Sequence, residues 1–223
     1  MKNLLKGLKR RMKSLVLSKA ERRHALVGPA ELWKMKRDFQ IEFLKNSDLK
    51  PHHYLLDIGC GTLRGGIPLI DYLQAGHYFG IESREEVLDE GRRELLEADL
   101  EDKSPTLILS PDISQLNVDQ KFDFMWAFSV LIHMSDDILN DALNFVNRHL
   151  SNEGVFYANV HAGGEKEGNW QGFPVVTRTL DFYSGACARN GLTVSDLGPL
   201  KNLGHVSNEQ AQDNQRMLSI SKR

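Results

Sequence analysis

Leu55-Leu56-Asp57-Ile58-Gly59-Cys60-Gly61-Thr62 reads as a short buried strand running into two glycines one residue apart. Glycine lacks a Cβ, so such a turn lets backbone approach a ligand and take angles other residues avoid. A helical pattern follows at about 66–74, and the free N–H groups at its start can hold a carboxylate. In open parallel sheets, ligands bind beyond the carboxyl ends of the strands. A dinucleotide cradle would need its third glycine at position 64, where Arg64 stands instead. No Gly-Lys-Ser/Thr follows, so the loop is not a P-loop.

Outward from this loop, strand and helix patterns alternate. Strands are expected at 54–58, 77–82, 105–109, 122–128, 154–160, 192–198 and 215–221. Helices are expected at 30–45, 66–74, 84–98, 136–150 and 179–190, with a polar, glycine-rich loop over 161–172. Strands spaced by helices predict a parallel sheet covered on both faces. No convincing helix separates the last two strands, which predicts an antiparallel arrangement at that edge.

The chain has 223 residues, 41% apolar and 26% charged, which suits one domain with a modest extension. Cys60 and Cys187 offer neither a disulfide framework nor a zinc spacing, so a reducing, cytoplasmic compartment is expected. No run of about 18 apolar residues exists to span a bilayer. Lysines interrupt the N-terminal apolar run, so no secretory leader is expected. Residues 1–27 hold nine Lys/Arg and one acid, a balance of +8, and the remainder therefore sums to -10. Leu4, Leu5, Leu8, Met12, Leu15 and Val16 share one helical face, with Lys2, Lys6, Lys9, Arg10 and Lys13 opposite. Two units follow: a basic amphipathic arm, 1–27, and a domain, 28–223. Such an arm suits an anionic membrane surface through residues 1–24, or a partner or core face. Nucleic acid is disfavoured, because no aromatic precedes Trp33 to stack on bases.

The loop 55–62 resembles motif I of the class I S-adenosylmethionine-dependent methyltransferases, and the likeness extends over about 54–221. It implies an α/β fold: a Rossmann-like seven-stranded sheet, helices on both faces, the last strand antiparallel, here with an N-terminal helical extension. It also implies S-adenosylmethionine as cofactor, contacted by Asp57, Gly59, Cys60 and Gly61 of the loop and by Glu82 and Ser83 after the second strand. Glu82 lies 21 residues beyond Gly61, where a carboxylate accepts from both ribose hydroxyls. After the third strand, the resemblance assigns Asp112 and Ile113 to the adenine, although Asp112 is equally a turn or N-cap residue. Phe128 falls where the chain passes the methionine part.

Residues 122–133 resemble the fourth-strand motif of small-molecule methyltransferases, including the ubiquinone-biosynthesis O-methyltransferase group. The segment lacks the Asn/Asp-Pro-Pro-Tyr/Phe motif that grips an amino nitrogen. Phe128 and Ser129 replace the acid of magnesium-dependent enzymes, so no catalytic metal is expected. Residues 27–33, the helix after them and Leu-Arg-Gly-Gly resemble a bacterial methyltransferase group linked to glycan or lipid-glycan assembly. The expected reaction is O-methylation of a small molecule, glycan or lipid-linked acceptor. A hydroxyl acceptor loses a proton, and histidine is the usual base. His133 and His161 are the main candidates and His205 a third. Arg64 and Arg37 are candidates for the cofactor carboxylate, Arg64 also for an anionic acceptor. A non-catalytic cofactor-binding regulator and a membrane-associated binding module are the alternatives.

Overall fold

The computed structural model describes residues 23–163 and 167–223. The predicted helix over 4–16 lies outside these residues. Seven strands form the main sheet: β1 (Leu55–Ile58), β2 (Tyr78–Glu82), β3 (Thr106–Leu109), β4 (Phe122–Ala127), β5 (Leu150–Val160), β8 (Leu192–Pro199) and β9 (Arg216–Lys222). Their order is β3-β2-β1-β4-β5-β9-β8. β1 to β5 run parallel, and β9 inserts antiparallel between β5 and β8.

Side chains alternate across the central strands, as the pleat requires. Leu55, Phe124 and Trp126 pack with Phe39, Phe43, Leu69 and Leu88. Those partners come from α1 (Trp33–Asn46), α2 (Gly66–Tyr72) and α3 (Glu85–Glu97). Leu56, Ile58, Met125 and Ala127 face the other way, onto Leu139, Leu143, Tyr183 and Ala186. These belong to α4 (Asp136–His149) and α5 (Leu180–Arg189). Both faces are therefore covered, and strands buried on both sides read as near-continuous apolar runs.

Three segments depart from expectation. The loop expected at 161–172 contains a strand: β6 (Glu167–Trp170) pairs antiparallel with β7 (Phe173–Val176) as a separate hairpin. The fifth strand begins four residues early, at Leu150. Between β8 and β9 lie a 3-10 turn, Leu200–Leu203, and a short helix, α6 (Gln210–Asp213). Among the described residues, no helix is long and apolar enough to cross a membrane.

Residues 23–29 pack against the body. Arg23 is buried, with its Nε 2.9 Å from Glu90 and its Nη1 2.7 Å from Glu97, both on α3. Leu26 and Val27 offer their carbonyls to Arg84 and Arg64 at 3.3 and 3.0 Å. Ala25 accepts from Gln171, in the turn of the hairpin, at 3.3 Å. Val27 of this strap lies against Gly61 in the loop after β1, beside the point between β1 and β4 where the strand order reverses and such sheets place their ligands.

Candidate functional site

A cavity of about 370 Å³ opens at that reversal. Its walls come from the strap, α1, the glycine loop, the ends of β2, β4 and β5, the hairpin and α6.

The glycine loop shapes one side. Gly59 and Gly61 have φ of 74° and 60°, the left-handed region that costs other residues energy. A Cβ on Gly59 would sit 2.5 Å from Val130, and one on Gly61 2.8 Å from Val27. Both neighbours line the cavity, so a side chain at either glycine would crowd its wall. Asp57 is buried at the same end, and its Oδ2 accepts from the Tyr78 hydroxyl at 2.8 Å. Burial lifts its carboxyl to about 7. The buried Cys60 thiol is likewise pushed up by desolvation.

Glu82 ends β2, as expected, and turns its carboxylate back onto the loop. Oε2 accepts from the Gly61 N–H at 3.1 Å. Oε1 accepts from the N–H groups of Ser83 and Arg84 at 3.0 and 3.1 Å, and from Arg84 Nε at 3.3 Å. Each carboxylate oxygen has about two acceptor sites. Oε2 therefore keeps the capacity to accept from a hydroxyl, whereas Oε1 is occupied.

Asp112 and Ile113 are placed apart. Asp112 is exposed, and its Oδ1 caps a 3-10 turn by accepting from the Ser114 N–H at 2.9 Å. Ile113 packs against the α4/α5 core. Neither lines the cavity.

Two buried cations line it instead. Arg64 donates from Nη1 to Val27, while its Nε is buried without a partner. Lys36, on α1, is 7% exposed. Desolvation, then the nearby Arg64, brings its amine down to about 7. Among the described residues, neither cation has a carboxylate within 4 Å. Arg37 points elsewhere: it pairs with Asp38 at 2.9 Å and lies over Trp33, outside the cavity. Lys36, one residue before it, lines the cavity. Gln40, one turn on from Lys36, accepts at its Oε1 from buried Trp126 Nε1 at 2.9 Å and so fixes the inward face of the helix.

Phe128 is buried at the end of β4, stacked on Trp126 and tilted against Phe39. Beyond it lie two histidines. His133 has Nδ1 2.7 Å from the Pro174 carbonyl, and its ring stacks on Trp170. His161, after β5, has Nε2 3.2 Å from Gln215 Nε2. Burial is the main cause that lowers both imidazoles below their ordinary range. His205 lies outside the lining: it is 1% exposed, wedged against Phe39 and Phe128, with Nδ1 2.9 Å from Asp213. Among the described residues, no group of three or more His, Cys, Asp or Glu is arranged to hold a metal ion.

Residues 56–156 match a family model described as a methyltransferase domain. A comparison with curated protein sequences finds no match. Among solved structures, a S-adenosylmethionine-dependent methyltransferase from Clostridium acetobutylicum is similar at 14% identity, with 99% of this chain and 98% of that one covered and a TM-score of 0.63. Magnesium protoporphyrin IX methyltransferase from Synechocystis, with bound S-adenosylmethionine, reaches a TM-score of 0.65 at 16% identity, covering 97% and 91%. A glycopeptide N-methyltransferase with S-adenosylhomocysteine also reaches 0.65, at 16% identity, covering 85% and 90%. The strand order and these solved structures show the fold of the class I S-adenosylmethionine-dependent methyltransferases, and the methyltransferase-domain model matches its central part, residues 56–156.

Proposed function

We propose that the protein transfers a methyl group from S-adenosylmethionine to an oxygen of a small-molecule or glycan acceptor. When bound, the cofactor supplies an electrophilic methyl on a sulfonium. The cavity fits it in three respects: a glycine wall that no side chain could share, a buried carboxylate with a free acceptor site, and two buried cations lacking a carboxylate. Gly59 and Gly61 would border it, with Asp57, Cys60 and Ser83 beside them. Glu82 Oε2 would accept from a ribose hydroxyl. Lys36 and Arg64 would hold its carboxylate, and Phe128 would wall the methionine part. Asp112 and Ile113 stay assigned to the adenine edge by resemblance alone.

His133 carries the reading toward oxygen. A carbonyl only accepts, so the bond to Pro174 puts the proton on Nδ1 and leaves Nε2 with a lone pair. That nitrogen can take the proton of an acceptor hydroxyl. Trp170 and Phe173, both on the cavity wall, give a flat apolar surface that suits a ring or a sugar face.

The test is incubation with tritiated methyl donor and fractionated lipids, glycans and small molecules. Label that resists mild alkali and leaves as methyl iodide in hydriodic acid marks a methyl ether. Label that survives both treatments marks nitrogen or carbon and overturns the O-methyl assignment. Peripheral membrane contact through residues 1–24 rests on their charge, and flotation of the full chain with anionic against neutral vesicles tests it.

A further inference from the structure

We infer that the two cavity histidines play unlike parts, His133 taking a proton and His161 donating a hydrogen bond to the same acceptor atom, and that this pair selects a hydroxyl. The inference rests on the methyl-transfer reading above and deepens it.

A backbone N–H only donates. Ser129, in the left-handed region at φ 61°, donates its N–H to Asn159 Oδ1 at 2.7 Å. Asn159 must therefore present its amide nitrogen to Gln215, whose Oε1 accepts. Gln215 is then left with Nε2 facing His161 Nε2. An amide nitrogen only donates, so His161 Nε2 accepts, and the ring proton sits on Nδ1. Asn159 and Gln215 are both buried, so water does not compete for this chain. Among the described residues, His161 Nδ1 has no hydrogen-bond partner and is not sealed from solvent. His161 and His133 line the same cavity. One offers an N–H, the other a lone pair.

The acceptor atom must then do three things. It gives a proton to His133 Nε2, accepts from His161 Nδ1–H, and keeps a lone pair for the methyl carbon. A hydroxyl oxygen has one hydrogen and two lone pairs, and meets all three. A neutral amine has a single lone pair, which cannot both accept and attack. A carboxylate has no proton to give. In balanced form, the O–H bond breaks toward His133 Nε2 and an oxygen lone pair forms the O–CH3 bond. The C–S pair stays on sulfur, and His161 keeps its proton throughout.

Nitrogen-15 spectra of histidine-labelled full-length protein read the tautomers without any acceptor, with His161→Asn and His133→Asn identifying the signals. The expected result is Nδ1–H on both rings; a proton on His161 Nε2 overturns the inference. Gln215→Glu replaces the donor by a carboxylate and should move the His161 proton to Nε2; an unmoved proton overturns the relay. In the labelled-methyl assay, His161→Ala should cut turnover by about 10- to 100-fold, the worth of one charge-assisted hydrogen bond, while His161→Asn, whose amide places a donor near the Nδ1 position, should keep most of the activity. Equal loss in both variants overturns the donor role. Label in an amine product overturns this inference and leaves methyl transfer standing. No transfer to any fraction overturns the reading beneath it, and this inference with it.

Discussion

Lys36 has its charge in balance near neutrality. Its amine, brought to about 7 by burial and by Arg64, is largely neutral at pH 8. A carboxylate placed beside it would favour the charged form, so cofactor binding at pH 8 should take up a proton. Titration calorimetry with S-adenosylhomocysteine in phosphate and in Tris, whose ionisation enthalpies differ, measures that uptake. Lys36→Met should abolish it and weaken binding about 10-fold, the worth of one charge-assisted contact. Equal enthalpies in the two buffers for the unaltered protein would remove Lys36 from the carboxylate site. The same shift bears on stability. An unfolded lysine titrates near 10.4, so between about 7 and that value the unfolded chain binds more protons. Stability from this group therefore rises with pH across that window and is lowest below it. Lys36→Met should flatten that rise in urea titrations at pH 7 and 10. None of this was legible in the sequence. A lysine between Met35 and Arg37 reads as solvated, and only contacts distant along the chain bury it.

Arg23 ties the strap to α3 through Glu90 and Glu97, and the strap's carbonyls in turn hold Arg64 and Arg84 at the cavity. Arg23→Ala should leave the sheet intact and cost about 1.5–3 kcal/mol, the range for hydrogen bonds to charged groups. Hydrogen exchange of amides 24–29 should quicken, and S-adenosylhomocysteine should dissociate faster. Unchanged exchange there would mean that Arg23 does not anchor the strap. Elements of this kind resist sequence reading. The strands of the sheet announced themselves because both faces bury apolar side chains. The hairpin did not: β6 reads Glu167-Gly168-Asn169-Trp170, and its bonds run to β7 rather than to the sheet. Its Trp170, Phe173 and Val175 line the cavity rather than filling the core, so they leave no periodic apolar stripe. Arg23, at the tail of the arm, has its acids Glu90 and Glu97 on α3, 67 and 74 residues further along, so no local pattern pairs them.

At the scale of the whole molecule, one crossing sets the function. β1 passes to β2 and β3 on one side, while β4 and β5 lie on the other, and every cavity residue hangs from that divide or is laid over it. The glycine loop, Glu82 and His161 were legible because each stands at a strand end, and His133 because it lies in the turn that follows β4. Their division of labour was not, because it depends on Asn159 and Gln215, which meet only when β9 pairs with β5. If the loop is the binding wall, the stability of the entire domain should answer to ligand. A ligand that binds only the native state at 100 times its Kd stabilises by about 2.7 kcal/mol. A domain of this size gains about 2–4 °C per kcal/mol, so saturating S-adenosylhomocysteine should raise Tm by about 5–10 °C. Gly59→Ala puts a Cβ against Val130 in a left-handed residue, so its ligand-free Tm should fall and its ligand-induced rise should largely vanish. Gly172→Ala also has positive φ but open space around its Cβ. It should lose stability through strain alone and keep the full ligand shift. Calorimetric scans of the three proteins, with and without ligand, separate the two effects. An equal ligand shift in all three would mean that the cofactor does not sit against Gly59.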